Sequence, residues 1–176
     1  MADLQPKRVS GLLLADAATL GRESNLPFRL MTLPLLGEMM NRPGPMAVAQ
    51  QLKVIFHDPS VVTDELRGIV KRNVHKPGAV PAFLATLRRM TNLSGQNPEM
   101  VKRSQAILGT LQMPVTIVHG RQDAVLPLSH SEAAASLCRH AELIILEECG
   151  HTPQIEQSQR FNQILSDLLK KGAARK

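Results

Sequence analysis

The sequence predicts an α/β protein: about three parallel strands with flanking helices. Three observations carry that expectation. VSGLLLADAA (9–18) is a continuous apolar run ending in small residues, the signature of a strand buried on both faces. From residue 113 onward the pattern alternates strand and helix, as parallel sheets with crossover helices require. Between these zones, prolines at 27, 34, 43, 45, 59, 77, 81 and 98 cut the chain into short helical pieces.

Taken in order, the first element is the strand of residues 9–15. The middle zone follows, roughly 22–112, with helices expected over 45–56, 63–73, 79–92 and 97–111. In the third of these, Val80, Phe83, Leu84 and Leu87 recur at the spacing of one buried face. The fourth opens on Asn97-Pro98-Glu99, a capping side chain followed by proline in the first turn. LPFRLMTLPLLGEMM (26–40) is Met- and Leu-rich and is expected to pack against something as an adaptable, pocket-forming surface. Its charges form no basic face, so a membrane-contacting lip is disfavoured. MPVTIVHG (113–120) then supplies a β-branched strand over 114–119 in which Gly120 permits a turn. A helix at about 129–139, a strand at 141–148 and a final helix at about 157–171 complete the chain. The tail 172–176 is basic.

Composition narrows the function. An apolar share of 43% fits a globular chain of 176 residues with one core. With aromatics at 2% and neither Trp nor Tyr, base-stacking platforms are missing, which argues against nucleic acid as a partner. The net charge of +6 is spread over helices and the tail, as solvated faces are. Cys138 and Cys149 make no disulfide framework, so a reducing, cytoplasmic setting is expected. No apolar run is long enough for a membrane span.

Chemistry in parallel α/β sheets gathers at the carboxyl ends of the strands. Asp123 follows the strand 114–119 in HGRQDAVLP, and His151 follows the next strand in LEECGHTPQIEQ. One loop, one helix and one strand separate them. Neighbouring parallel strands would bring the carboxylate to an imidazole nitrogen, fixing its tautomer and stabilising the imidazolium. A bland alternative exists for each residue alone, since Asp and His commonly close turns. A metal site is not expected: His119, His130, His140 and His151 lack ligand spacing, and His130 and His140 should bracket a surface helix. No cofactor is called for. Cys149 stands too close to His151 in the chain to be its nucleophile.

Three stretches, PVTIVHGRQDAVLP, LIILEECGHTPQIEQ and FNQILSDLLK, resemble the C-terminal part of an α/β-hydrolase-fold enzyme. Gly120-Arg121-Gln122-Asp123 matches that family's G-x-x-D acid loop, and Gly150-His151 its G-H base loop. PKRVSGLLLADAA looks like the family's segment after the nucleophile helix. The resemblance implies domains at 1–21 (first core strand and loop), 22–112 (helical lid) and 113–171 (C-terminal core). It implies Asp123 as orienting acid and His151 as base. Leu30, Leu33, Ala124, Val125 and Leu126 are then expected to line a pocket for an apolar ester or ketone. The family's nucleophile stands in a G-x-S-x-G elbow, and no serine here has that context. In place of a family proline, Ser158 is expected to cap the final helix. Dehalogenases and epoxide hydrolases share the fold with an aspartate nucleophile, so fold alone does not choose the reaction.

The expectation is therefore the C-terminal portion of a serine-type hydrolase acting on esters or C–C bonds, inactive alone. It would arise from truncation, a misplaced start or a split enzyme. A non-catalytic interaction module on the same fold is the alternative. Under either, the outer edge of the first strand is unpaired, so an N-terminal half or a homo-oligomer is expected to cover it.

Overall fold

The structure is a computed structural model that describes residues 2–174. A turn of 3₁₀-helix at Pro6–Arg8 leads into β1 (Leu12–Ala15). The strand is shorter than its apolar run because Asp16 turns the chain out of it at φ 41. A helical excursion follows: α1 (Leu26–Met31), α2 (Leu36–Met40), α3 (Pro45–Ile55), α4 (Asp64–Val74) and α5 (Ala79–Met90). A tight hairpin of β2 (Thr91–Asn92) and β3 (Gly95–Gln96) leads to α6 (Pro98–Thr110). Then come β4 (Val115–Gly120), α7 (Leu128–Leu137), β5 (Ala141–Leu146), α8 (Pro153–Glu156) and α9 (Ser158–Ala173). The chain is thus α/β as predicted, and the sheet order is β1-β4-β5, all parallel.

β4 is the centre of the sheet and is buried along its whole length. Its alternating side chains face two layers. Val115 and Ile117 pack with Leu108 and Leu111 at the end of α6 and with Ala134 and Cys138 of the α7 region. Val118 packs with Leu146, Cys149 and Ile164 of α9 on the opposite face. Each fully buried Val or Ile contributes about 1.5–3 kcal/mol of transfer free energy, which is why this β-branched run takes the middle position.

The helices start where their capping chemistry is. Asn25 accepts from the Phe28 amide at 3.1 Å, and Asn97 accepts from those of Glu99 and Met100 at 3.0 and 3.3 Å. Thr63 caps α4 at the Leu66 amide, with Asp64 and Glu65 in the first turn and Lys71 and Arg72 in the last, as the helix dipole favours. Helices α3 and α4 close a separate small core of Val48, Leu52 and Phe56. Gln96 ties this helical region back to β1. It accepts from the Thr19 amide at 2.7 Å and donates to the Glu23 carbonyl at 2.9 Å.

Several expectations are corrected. In α5 Leu84 is buried, but Phe83 is 41% exposed, so the inward face is narrower than its spacing implies. The stretch 26–40 forms α1 and α2 and leaves Leu26, Leu35 and Met39 exposed, Leu35 at 83%. Ser158 does not cap α9. Gln157 occupies that position, with its amide nitrogen donating to the Glu147 carbonyl. His130 lies inside α7 and is buried, its ring filling the space a side chain at Gly21 would need. The tail predicted over 172–176 is helical to Ala173, and Arg175 and Lys176 lie outside the described residues. Among the described residues no helix is long and apolar enough to cross a membrane.

Candidate active site

The carboxyl ends of β1, β4 and β5 meet at one edge of the sheet. The loop after β4 is fastened to the loop after β5 by backbone bonds: Arg121 to the Leu146 carbonyl and Gln122 to the Cys149 carbonyl, both at 2.9 Å. Gln122 also accepts from the Cys149 amide at 3.0 Å. Gly120 does not sit at a positive φ, so its expected role in permitting a turn is replaced by another. A Cβ there would lie 2.1 Å from the Gly150 carbonyl oxygen and 2.5 Å from that of Cys149. Close approach of the two loops, not backbone freedom, requires this glycine.

Asp123 and His151 are brought together. His151 Nδ1 stands 2.9 Å from Asp123 Oδ2, and Asp123 Oδ1 accepts from the amides of Val125 at 2.6 Å and Leu126 at 3.1 Å. The Asp123 side chain is 1% exposed and that of His151 26%, so the carboxylate is sealed and the imidazole reaches solvent. Among the described residues none hydrogen-bonds His151 Nε2. Burial alone would raise the pKa of Asp123, but the bond and charge of His151 and the two amides hold it below its ordinary value. Burial likewise works to lower His151. The Asp123 hydrogen bond and charge outweigh it and raise the imidazole above its ordinary 6.5.

The other expected site residues fall in two groups. Val125 and Leu126 cradle Asp123 through their amides, and the Leu126 carbonyl meets His119 Nε2 at 3.2 Å. The Ala124 carbonyl accepts from the Asn25 side chain at 3.1 Å, joining the acid loop to the start of α1. Leu30 and Leu33 are half-buried. The Leu33 carbonyl accepts from Arg88 of α5, which places it in the α1–α2–α5 layer. A large cleft, lined by Val9, Thr110 and Met113 among others, lies at the amino ends of β1 and β4, away from this chemistry.

Two nucleophile candidates within the chain can be judged directly. Cys149 is fully buried, and burial pushes its thiol up to about 12, so it stays protonated. Ser131 Oγ does stand 2.8 Å from a histidine ring, that of His119, but both residues are sealed in the core. Asp16, His119 and Asp123 offer ligand atoms within 4.8 Å of one another, yet both His119 nitrogens are already engaged, with Ser131 and Leu126. A cation there would have to break those bonds.

Two residues escaped the sequence reading. Asp16 ends β1 as Asp123 follows β4, so the strand-end rule applied to the first strand would have found it. Glu156 had no such signal. Its carboxylate accepts from the amides of Gly150 at 2.9 Å, His57 at 2.7 Å and Asp58 at 3.1 Å. With the His151 amide donating to the Ile55 carbonyl at 3.0 Å, it clasps the base loop to the end of α3. Gly150 is needed for that contact, since a Cβ would sit 2.7 Å from the His57 nitrogen. Glu156→Ala strands three N–H donors and is expected to cost about 2–4 kcal/mol. Urea unfolding measures the loss, and hydrogen exchange should quicken at the amides of Gly150, His57 and Asp58. Unchanged exchange at those amides would refute the clasp.

Residues 83–158 match a family model described as the alpha/beta hydrolase fold. A 2-hydroxy-6-oxononadienedioate/2-hydroxy-6-oxononatrienedioate hydrolase of a Pseudomonas species is 27% identical over 170 residues, covering 96% of this chain and 57% of that protein. The chain thus spans little more than half the length of that relative. The structure of a meta-cleavage product hydrolase from Pseudomonas fluorescens IP01 superposes with TM-score 0.75 at 25% identity, covering 97% of this chain and 59% of that one. A thermophilic esterase from Thermogutta terrifontis shares the fold, with TM-score 0.65 at 21% identity over 97% of this chain and 59% of its own.

Proposed function

We propose that this chain, whose fold is that of the α/β hydrolases, is the acid- and base-bearing portion of a serine-type hydrolase. The observation that carries the proposal is the Asp123–His151 pair at 2.9 Å, with the acid sealed and the imidazole open to solvent. In this reading Asp123 holds the proton on Nδ1, leaving Nε2 to take the proton of an attacking hydroxyl and return it to the leaving group. The nucleophile is a serine supplied from outside these 176 residues, because no serine here has the G-x-S-x-G context.

The substrate class follows the relatives. The relatives are named as hydrolases of 2-hydroxy-6-oxononadienedioate and of meta-cleavage products, and we take 2-hydroxy-6-oxo-dienoate acids, cleaved at a C–C bond, as the substrate class here, with esters as the broader class. Residues 22–112 would act as the lid over a core made of 1–21 and 113–171. Leu30 and Leu33 would face Ala124, Val125 and Leu126 across an apolar pocket, with the Asn25–Ala124 bond as one seam. A partner segment is part of the proposal. Among the described residues β1 pairs with β4 alone, and all four of its residues are only half-buried, so its free edge is the place for another strand, from an N-terminal half or a second copy. An interaction module built on the same edge remains the second reading.

The two readings separate in one assay. The chain by itself should take no label from a fluorophosphonate probe. Mixing it with a segment that carries the nucleophile elbow and pairs with β1 should give labelling and turnover of a 2-hydroxy-6-oxo-dienoate, both lost in His151→Ala. Labelling of the chain alone that disappears in His151→Ala would overturn the assignment of the nucleophile. Assembly without turnover would favour the interaction module.

A further inference from the structure

One carboxyl group of the site has no part in the acid–base scheme. Asp16 follows β1 directly. Parallel pairing of Ala15 with Val118 sets it level with His119, and its own amide donates to the Val118 carbonyl at 3.0 Å. Its side chain is 2% exposed. Oδ1 accepts from the Gly120 amide at 3.0 Å, but Oδ2 is, among the described residues, a buried polar atom without any partner. The positive φ at this residue is a further sign that the position is held against local preference.

Asp16, His119 and Asp123 crowd together, each offering an atom within 4.8 Å of the others. His119 does not balance a second negative charge. Burial lowers its pKa, and as a neutral ring it donates from Nε2 to the Leu126 carbonyl and accepts at Nδ1 from the Ser131 hydroxyl. Two ionised carboxylates in such a site repel strongly, so one must keep its proton. The hydrogen bonds decide which. Asp123 receives three donors, from Val125, Leu126 and His151, whereas Asp16 receives one. A protonated Asp16 can donate to the Asp123 carboxylate, which favours the neutral form, whereas a second buried charge left without a donor costs far more.

We infer that Asp16 is a positioning residue held as the neutral acid, and that its proton sets the charge felt by the Asp123–His151 pair. With Asp16 protonated, the cluster carries one negative charge and His151 releases its proton more readily. When Asp16 ionises, the second charge holds His151 as the imidazolium and removes the base. The other ionisable groups bearing on the cluster leave this balance in place: Cys149 stays a neutral thiol, and Glu156 acts on His151 from the clasp side. Burial raises the Asp16 carboxyl to about 7, and an ionised Asp16 adds to the charge that raises His151, so the protonation of each group bears on that of the other.

The inference rests on Asp123 and His151 being the acid–base pair of the proposed hydrolase, but its test needs no turnover. NMR titration of the full chain, following the His151 ring and the Asp16 carboxyl carbon, reads both groups directly. The expected result is an Asp16 carboxyl that titrates near neutrality and a two-step curve for His151. In Asp16→Asn, which mimics the neutral acid, the His151 curve should become a single step with its midpoint lower by about one pH unit. An Asp16 carboxyl ionised throughout pH 5–8 would overturn the inference, and so would superimposable His151 curves in the two proteins. Should the variant not fold, the wild-type carboxyl titration decides alone. A failed hydrolase reading would instead appear as missing turnover with this titration intact.

Discussion

Asp123→Asn is expected to lower hydrolysis by the assembled enzyme about 10³- to 10⁴-fold while leaving the fold in place. The reason lies in what the carboxylate does in the structure. Oδ2 receives Nδ1–H of His151, and that bond does most to raise the imidazole pKa against the opposing effect of burial. An asparagine retains the side-chain shape and an oxygen for the amides of Val125 and Leu126. It carries no charge to stabilise an imidazolium and permits the wrong tautomer. The His151 pKa should therefore fall. NMR titration of the isolated chain reads that fall, and kcat of the assembled enzyme reads the chemical consequence. A His151 midpoint that stays where it is would mean the carboxylate does not support the base.

Legibility in the sequence followed the reach of the physics involved. β4 was readable because a β-branched run bounded by Pro114 and Gly120 is a strand in almost any context, and its position at the sheet centre matches its burial. Asp123 and His151 were readable because the strand-end rule needs only the strands. Helix α6 is legible because Asn97 caps it and Pro98 sits in its first turn. Long-range packing was not legible. Nothing local tells that Glu156 will meet the amides of His57 and Asp58, nearly a hundred positions earlier in the chain. Nor does local sequence tell that His130 will fill the space beside Gly21, because helical spacing fixes a side chain's direction but not what stands opposite. The role of Gly120 is not legible, since a glycine needed for close approach is indistinguishable in sequence from one needed for a turn. Asp16 is legible by the same strand-end rule as Asp123, because it directly follows β1.

That same residue should make the stability of the chain depend on pH in an unusual direction. Most buried acids in paired positions are stabilised as carboxylates, so folding weakens as pH falls. Asp123 behaves in that way, its contribution being present above the ordinary carboxylate range and lost as pH drops through its lowered folded value. His151 contributes below 6.5 and loses that contribution as pH rises through its raised folded value. Asp16 is a raised acid, with a folded value of about 7 against an ordinary 3.8. Below 3.8 both folded and unfolded chains carry its proton; between 3.8 and 7 the unfolded chain has released it and the folded chain has not. Stability from this group therefore declines as pH rises through that window, by about 2–4 kcal/mol in total. Against a usual domain stability of about 5–15 kcal/mol, that is a large share. Asp16→Asn keeps the acceptor for the Gly120 amide and removes the ionisation. The gap in unfolding free energy between Asp16→Asn and wild type should thus widen in favour of the variant from pH 4 to pH 7, then level off. Urea unfolding at four or five pH values measures it. A gap that stays constant with pH would mean that Asp16 ionises in the folded chain as readily as in water, and its burial beside Asp123 would then carry no electrostatic cost.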